Sequence, residues 1–449
     1  MARKYGKVNA SLCWLALACL VVPMFASFFF DDMFSSISYL FENPAMTDLG
    51  WDAVGYGMYT SGYSVLCVFG GLVICGIMLD RWGVRITGSI FIALILIGAL
   101  MVLYAIKSGF PPEKSLKIAY VGCMLFGLGS EIAGTAVTRS IAKWFKHGPM
   151  ALAMGLQLSI ARLGTALALV ISPRLVIEQA NHVYSVSEVA KPAAFGVGLI
   201  ALGVLLWAVF VALDARFDKI EGTTDKVETA EEDKFKLSDV WKVLGNKNFI
   251  LLALLCVLFY SSIIAFKKFA GAILVPRFDI PASTAGWMVS MLPFSTVIFA
   301  PLFGLLVDKK GHGTRWMILG SVLALIAHLL LAFAPAGVPF FGYLSMVFLG
   351  FGYSLVPAAL WPSVPKIVPD KVLGTTYSLI YWVQNLGLLS FKWIAGAILG
   401  ASAAGAANGP VRVEVMFVAL CIAAVVIALL FARTSDAHPE LGLDKATGK

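Results

Sequence analysis

Long runs of hydrophobic residues, separated by short polar segments, follow one another along nearly the whole chain. A helix needs about 20 apolar residues to cross the hydrocarbon layer of a bilayer. Helices are expected because a lipid-exposed segment must satisfy its backbone hydrogen bonds within itself. Twelve runs reach this length and predict spans at 11–31, 52–79, 87–106, 116–145, 150–176, 193–214, 249–276, 284–307, 315–335, 339–366, 371–402 and 411–432.

One hydrophilic segment, residues 215–247, interrupts this pattern between the sixth and the seventh predicted span. We therefore predict two six-helix bundles, at 1–214 and 248–432, joined by this charged cytoplasmic linker and followed by a cytoplasmic tail at 433–449. The first apolar run is longer than the core of a signal peptide and ends without a small-x-small cleavage site. We expect it to be retained as a span.

The composition also indicates a membrane protein. Hydrophobic residues make up 59% of the chain and charged residues 13%, whereas soluble domains carry about a quarter charged residues. We predict an all-α membrane protein. The seven cysteines lie in apolar segments without ligand spacing, so no disulfide framework, metal site or cofactor is predicted. The absence of a nucleophile–His–acid grouping and of a phosphate loop argues against an enzyme.

The distribution of basic residues predicts the orientation in the membrane. With both termini in the cytoplasm, 23 of the 34 lysines and arginines fall in inner segments and 7 at the outer ends of spans. This asymmetry is the one that the positive-inside rule describes. The net charge of +8 is thereby explained by topology, and we predict no nucleic-acid partner. The remaining four basic residues lie in the interior of predicted spans, away from either end group: Arg162, Lys267, Lys268 and Lys392.

The two halves of the chain resemble each other. Three segments of the first half, 76–85, 127–131 and 161–164, match three segments of the second half, 304–313, 350–354 and 384–387. The offset between the matching segments is nearly constant. Two repeated six-helix halves with a site between them near the middle of the membrane form a transporter architecture. The repeat makes Asn385 the counterpart of Arg162.

The first pair of matched loops resembles a motif of the major facilitator superfamily. The matching residues are Gly76, Asp80, Arg81, Gly83 and Arg85, with Gly304, Asp308, Lys309 and Gly311 as a weaker second copy. The resemblance implies twelve helices in two bundles and transport by alternating access. It also implies that Asp80, Arg81, Arg85 and Asp308 gate the cytoplasmic side. The alternative is a set of loop charges that only fixes topology.

A narrower resemblance involves "GLQLSIARLG" (155–164), "ALWPSV" (359–364) and "LGTTYSLIYWVQNLG" (373–387). These stretches are similar to the lysosomal dipeptide uniporter branch of the superfamily. The resemblance implies substrate binding by Glu131, Arg162, Trp361 and Asn385. The chain differs from the animal members of the branch in "FKKF" at 266–269, in its Ala/Gly-rich helices and in lacking a dileucine-type sorting signal. We therefore expect a bacterial relative in the inner membrane.

Glu131 and Arg162 lie at similar depth on consecutive predicted spans. Glu131 is 14 residues before Phe145, and Arg162 is 12 residues after Met150, which places both roughly 18–21 Å above the same helix ends. Charged residues inside a membrane usually face a cavity or a partner. The pair is either a structural clamp or a site where Glu131 binds an ammonium and Arg162 a carboxylate.

Three aromatic residues are further candidates for the substrate path. Trp361 lies among prolines that bend a helix, and its indole either packs on a substrate side chain or sits in an interfacial aromatic belt. Tyr59 and Tyr63 share one helical face, so they either line the path or pack in the bundle.

Charges near the outer ends of the first and seventh spans suggest an outer gate. Lys268 projects away from the apolar stripe of its span, whereas Lys267 lies beside that stripe and is expected to reach the membrane surface. Asp31 and Asp32 end the first span at about the same height. We predict that one of these carboxylates pairs with Lys268; the alternative is that all four charges are solvated.

The sequence thus favours a secondary transporter of a small zwitterionic solute, most simply dipeptides, acting as a monomer within the lipid bilayer. Two alternatives remain open. One is a carrier of small organic anions in which Arg162 binds the anion, and the other is a membrane receptor or scaffold that does not transport.

Overall fold

The computed structural model of the protein describes residues 4–5, 8–41, 44–176, 183–222, 237–369, 372–403 and 408–446. Apart from a short hairpin of β1 (Lys4–Tyr5) and β2 (Val8–Asn9), the described regular structure is helical. The α-helices are α1 Ala10–Asp32, α2 Ala53–Leu66, α3 Leu72–Lys107, α4 Pro112–Trp144, α5 Met150–Leu175, α6 Val186–Glu221, α7 Leu237–Leu244, α8 Lys247–Lys268, α9 Ala270–Phe278, α10 Ala282–Lys310, α11 Gly313–Phe333, α12 Pro339–Ile367, α13 Leu373–Ala403 and α14 Gly409–Ala437.

Ten helical segments among the described residues are long and apolar enough to cross a membrane. They lie in α1, the second part of α3, α4, α5, α6, α8, α10, α11, α12 and α14. The prediction of an all-α, multi-pass membrane protein is therefore confirmed. The count of twelve spans stays a prediction: the remaining two, 52–79 and 371–402, correspond to α2 with the start of α3 and to α13.

The chain forms two compact units. The first consists of Met1–Phe34, Thr47–Trp51 and Gly62–Thr229, and the second of Ser35–Met46, Asp52–Ser61 and Ala230–Lys449. Two stretches of the N-terminal half, Ser35–Met46 and Asp52–Ser61, therefore group with the C-terminal helices, and α2 is divided between Ser61 and Gly62. The predicted bundle 1–214 includes both stretches, because its bounds follow sequence order alone; the second predicted bundle is 248–432.

Several predicted boundaries differ from the observed ones for local reasons. The predicted spans 52–79 and 87–106 are separated by a break at Gly83 within α3, where φ is +80° and the backbone leaves helical geometry, so the interruption is shorter than the predicted loop. Only glycine adopts this conformation readily, and Thr87 Oγ1 donates to the carbonyl of Met78 across the break, at 3.0 Å. The predicted span 249–276 is split instead, because Phe269 leaves helical geometry between α8 and α9.

The predicted linker at 215–247 is partly helical. Helix α6 continues to Glu221 and ends at Gly222, whose φ of +76° is typical of a helix C-cap. Helix α7 lies within the second part of the predicted linker, and 223–236 are outside the described residues. Asn246 then caps α8, accepting from the amides of Asn248 and Phe249 at 2.9 and 3.3 Å.

The N-terminus of α11 is capped by the C-terminal tail. His312 precedes the helix but provides no side-chain cap. Asp444 supplies it instead, with Oδ1 accepting from the Thr314 amide at 2.9 Å and Oδ2 from the Thr314 hydroxyl at 2.8 Å. Ser435 Oγ also donates to Asp444 at 2.7 Å, and Lys366 Nζ donates to the carbonyl of Gly442 at 3.0 Å. The tail thereby fastens α11, α12 and α14 together at one end of the second unit.

Replacing Asp444 by alanine is expected to destabilise the second unit, because the amide of Thr314 would lose its cap. Loss of an N-cap typically costs about 1 kcal/mol, and the loss of the hydroxyl hydrogen bonds adds to it. The measurement is the apparent melting temperature in detergent. Asp436→Ala, an exposed carboxylate at the end of α14, is the matched control, and equal melting of the two variants would contradict the capping role.

Candidate substrate-binding site

The candidate residues are distributed over both units. The first unit holds Asp31, Asp32, Tyr63, Arg81, Arg85, Glu131 and Arg162, and the second holds Tyr59, Lys268, Asp308, Trp361 and Asn385. Asp80 lies in α3, but its side chain is outside the described residues. Each unit therefore has its own group of candidate residues.

Glu131 on α4 is positioned by close packing of α2 against α4. A Cβ at Gly127 would collide with the backbone of Tyr63, so only glycine permits this approach. The contact brings the Tyr63 hydroxyl to 3.3 Å from Glu131 Oε1 as a donor. Immediately before Glu131, Ser130 Oγ lies 2.6 Å from Ser27 Oγ on α1. Glu131 is thus held between α1 and α2 while remaining half-buried.

Arg162 on α5 is positioned by a similar close approach. A Cβ at Gly164 would overlap the carbonyl oxygen of Phe25 on α1. The guanidinium lies 5.7 Å from the ring centre of Phe28, within the range of a cation–π contact. Helix α5 begins at Met150 and α4 ends at Trp144. Arg162 and Glu131 both lie about three and a half helical turns from these ends, which places both charges roughly 18–20 Å above the short turn that joins the helices.

Asp32 is tied to α5 as well. Its Oδ2 accepts a hydrogen bond from Thr165 Oγ1 at 2.8 Å, and its side chain is buried. Thr165 lies one helical turn beyond Arg162, so the end of α1 and the charged segment of α5 are directly connected. Lys268 belongs to the second unit, and the proposed ion pair with Asp31 or Asp32 stays a prediction.

The two lysines at the end of α8 are both buried, with exposed fractions of 8% for Lys267 and 2% for Lys268. The expected difference between them, with Lys267 reaching the surface, is therefore not observed. The helix ends at Lys268, and Phe269 leaves helical geometry, so the predicted continuous span stops at this point. A helical wheel for an uninterrupted span does not describe this end of α8.

Trp361 lies in an aromatic cluster within the second unit. Its Nε1 donates to the Tyr260 hydroxyl at 3.0 Å. Its ring stacks on Tyr381 and Tyr377, with centroids 5.2 and 6.1 Å apart, and Tyr353 meets Tyr260 edge-on. These four tyrosines were not predicted from the sequence, because they lie on three different helices without a distinctive spacing. Trp361 thus packs inside the unit, and its half-buried indole presents an apolar surface.

Asn385 and Tyr59 are buried in the second unit. Asn385 is 2% exposed; its amide nitrogen donates to the carbonyl of Tyr381 at 3.1 Å, while its Oδ1 has no hydrogen-bond partner among the described residues. Tyr59 packs beside Tyr56, with ring centroids 6.3 Å apart. Asn385 therefore retains one available acceptor, the neutral polar group expected at the repeat position of Arg162.

Arg85 in the loop motif, two residues after the break at Gly83 in α3, belongs to a charge network with the C-terminal parts of α4 and α6. Its Nη2 lies 3.1 Å from Asp218, and Lys143 Nζ lies 2.9 Å from Asp214 and 2.8 Å from Asp218. Trp144 Nε1 donates to Asp214 at 2.7 Å. Neither aspartate was predicted from the sequence, because both fall at the boundary between a span and the linker. Arg81 and Asp308, the other gating candidates with described side chains, are exposed.

A buried histidine–glutamate pair was not predicted either. His328 Nδ1 on α11 lies 2.8 Å from Glu414 Oε2 on α14, and both side chains are fully buried. The sequence did contain one indication of this pair, because Glu414 is an acidic residue within the predicted span 411–432. Phe266 and Phe417 surround the imidazole. Among the described residues, no three His, Cys, Asp or Glu side chains gather to hold a metal ion.

Comparison with known proteins identifies the family. The sequence profile of the Major Facilitator Superfamily matches residues 24–391 and 269–448. The chain belongs to this superfamily. The transporter is 30% identical to the lysosomal dipeptide transporter MFSD1 of Mus musculus over 384 residues, covering 84% of the chain and 76% of the relative. It is 29% identical to MFSD1 of Danio rerio over 427 residues, covering 90% and 85%.

These matches confirm the narrower resemblance that the sequence motifs predicted, and they confirm a transporter rather than an enzyme. Solved structures agree on the fold. A bacterial homolog of the human lysosomal transporter Spinster superposes with a TM-score of 0.70 at 13% identity, covering 95% of this chain and 98% of that one. At this identity the likeness concerns the fold alone.

Replacing Gly164 by alanine is expected to push α5 away from α1 and to displace Arg162, because the added Cβ meets backbone that cannot rotate aside. We expect a lower apparent melting temperature and weaker substrate binding by the transporter. Gly155→Ala on the same helix is the control, since no described atom lies within 4 Å of a Cβ there. Gly164→Ala behaving like Gly155→Ala would rule out this packing constraint.

Proposed function

We propose that the transporter moves dipeptides across the membrane by alternating access, with residues 1–214 and 248–432 as the two moving bundles. The observation that carries the proposal is the charged group of the first unit. Glu131 with its Tyr63 hydroxyl and Arg162 beside Phe28 are half-buried at similar depth on adjacent helices. Opposite charges that keep partial exposure inside a membrane protein suit a ligand that carries both charges.

The chemistry of each group suggests its role. Glu131 is an acceptor for the ammonium of a dipeptide, and Tyr63 orients that carboxylate. Arg162 offers a planar set of donors that matches a carboxylate in two hydrogen bonds. The aromatic cluster around Trp361 presents the apolar surface that a peptide side chain requires. Asn385 adds a neutral acceptor through its available Oδ1.

The relatives support the same substrate class. The proteins of Mus musculus and Danio rerio that the chain resembles are described as lysosomal dipeptide transporters. We further propose that this transporter acts as a monomer in the inner membrane of a bacterium. The bacterial location is supported by the departures of the chain from the animal pattern at 266–269 and in its Ala/Gly-rich helices.

Neutralising Glu131 separates a dipeptide carrier from an anion carrier. In proteoliposomes loaded with dipeptide, Glu131→Gln is expected to abolish counterflow of labelled dipeptide, because the ammonium loses its counter-ion. A monocarboxylate binds Arg162 alone and would be unaffected. If Glu131→Gln exchanged dipeptide at the wild-type rate, the assignment of the ammonium site would be wrong, and exchange of monocarboxylates alone would establish the anion carrier.

Arg162→Lys keeps the charge but removes the bidentate geometry. We expect dipeptide affinity to fall about tenfold or more, as for the loss of one charge-assisted hydrogen bond. Thermal shift against a series of dipeptides, amino acids and organic acids measures this, since a ligand stabilises the protein in proportion to its occupancy. A ligand that stabilises the protein without any counterflow would indicate a receptor.

A further inference from the structure

Lys392 is a buried basic residue that the proposed site does not use. It lies on α13, its side chain is 2% exposed, and its Nζ donates to the main-chain carbonyl of Thr60 on α2 at 2.8 Å. Lysine is almost never fully buried without partners. Helix α13 begins at Leu373, which puts Lys392 roughly 28 Å from the cytoplasmic end of that helix in the predicted topology. It therefore belongs to the outer side.

Beyond Lys392, α2 and α13 cross backbone to backbone. A Cβ on Gly57 would lie 2.8 Å from the Cα of Gly396, and a Cβ on Gly396 would lie 2.7 Å from the Cα of Gly57. One turn further along α13, a Cβ on Gly400 would collide with the side chain of Val54. Small residues allow such close approach of membrane helices. The lysine hydrogen bond lies at one end of this crossing.

Beside the crossing there is a second hydrogen bond from a side chain to a main-chain carbonyl. Tyr56 donates from its hydroxyl to the main-chain carbonyl of Lys268 at 2.9 Å, and its ring stacks on Phe41 at 4.8 Å and meets Phe269 edge-on at 5.3 Å. Ser38 Oγ accepts from the amide of Ala272 at 3.0 Å. Segments from the N-terminal half are therefore joined to α8, α9 and α13 through hydrogen bonds to main-chain groups.

We propose that Lys392 is a positioning residue that holds the outer ends of α2 and α13 together in one state of the transport cycle. This rests on the alternating access proposed above, in which the outer segment of α2 must separate from α13 when the outer side opens. A lysine suits the task because its long stem reaches a carbonyl in the closed state and its ammonium is readily hydrated in the open state. The glycine crossing brings the carbonyl of Thr60 within its reach.

The test measures opening without any substrate. Thr60→Cys places a reporter at a position that is 5% exposed, and its labelling by a membrane-impermeant thiol reagent from the outer side reports separation of α2 from α13. Adding Lys392→Met is expected to raise the labelling rate about tenfold, the effect of losing one charge-assisted hydrogen bond. Lys392→Arg, which retains a donor, is expected to stay closer to the parent rate.

Three controls make the outcome decisive. The parent chain without the reporter gives the background from its native cysteines. Lys107→Met, at an exposed position ending α3, controls for loss of a positive charge on the outer side of the predicted topology. Ser321→Cys, a fully buried position on α11, reports general loosening. An unchanged rate at Thr60→Cys, or an equal rise at Ser321→Cys, would overturn the proposal.

These readouts are independent of the substrate assignment. If Lys392→Met accelerates labelling at Thr60→Cys alone while dipeptides neither bind nor exchange, the outer contact holds and the dipeptide proposal fails. If dipeptides exchange normally while labelling stays unchanged, transport stands and the role of Lys392 is refuted.

Discussion

A charge inside a bilayer must be compensated by a partner, by water or by a ligand, and the placement of functional groups in this transporter follows from that constraint. Asp32 accepts a hydrogen bond from the Thr165 hydroxyl, and Glu131 accepts one from the Tyr63 hydroxyl. Lys392 donates a hydrogen bond to the main-chain carbonyl of Thr60. His328 and Glu414 form a hydrogen bond with each other in full burial. Glu131 and Arg162 differ from that last pair in remaining half-buried, which is consistent with the substrate site proposed for them.

Glycines allow the helices that carry these polar groups to pack closely against one another. Gly127 brings α2 to α4 beneath Glu131, Gly164 brings α1 to α5 beside Arg162, and Gly57 with Gly396 brings α2 to α13 beside Lys392. At each crossing, a Cβ on the glycine would collide with the backbone of the facing helix, and a side chain about one helical turn away or less contacts that helix. Close packing and polar positioning are therefore one arrangement, and a substitution at such a glycine would disturb both.

The repeated segments 76–85 and 304–313 are held in place by different interactions in the two units. In the first unit, Arg85 and Lys143 form ion pairs with Asp214 and Asp218 at the end of α6. In the second unit, Asp444 from the tail beyond α14 caps α11 through the amide and hydroxyl of Thr314. Each half thus has an acidic group close to its last helix: Asp218 near the end of α6 and Asp444 beyond the end of α14. The partner of this group is a cation in the first half and the N-terminus of α11 in the second.

The sequence by itself determined the membrane class, the helical runs and the internal repeat, and its motifs indicated the superfamily. These features follow from local composition and spacing, which the bilayer thickness makes easy to interpret. The similar depth of Glu131 and Arg162 could also be predicted from the sequence, because it follows from the helix rise per residue and the short turn between the two helices. Tertiary structure alone decided that Ser35–Met46 and Asp52–Ser61 pack with the C-terminal helices. It also decided the tyrosines around Trp361 and the carbonyl that Lys392 reaches, since contacts between distant helices depend on crossing positions that no local pattern encodes.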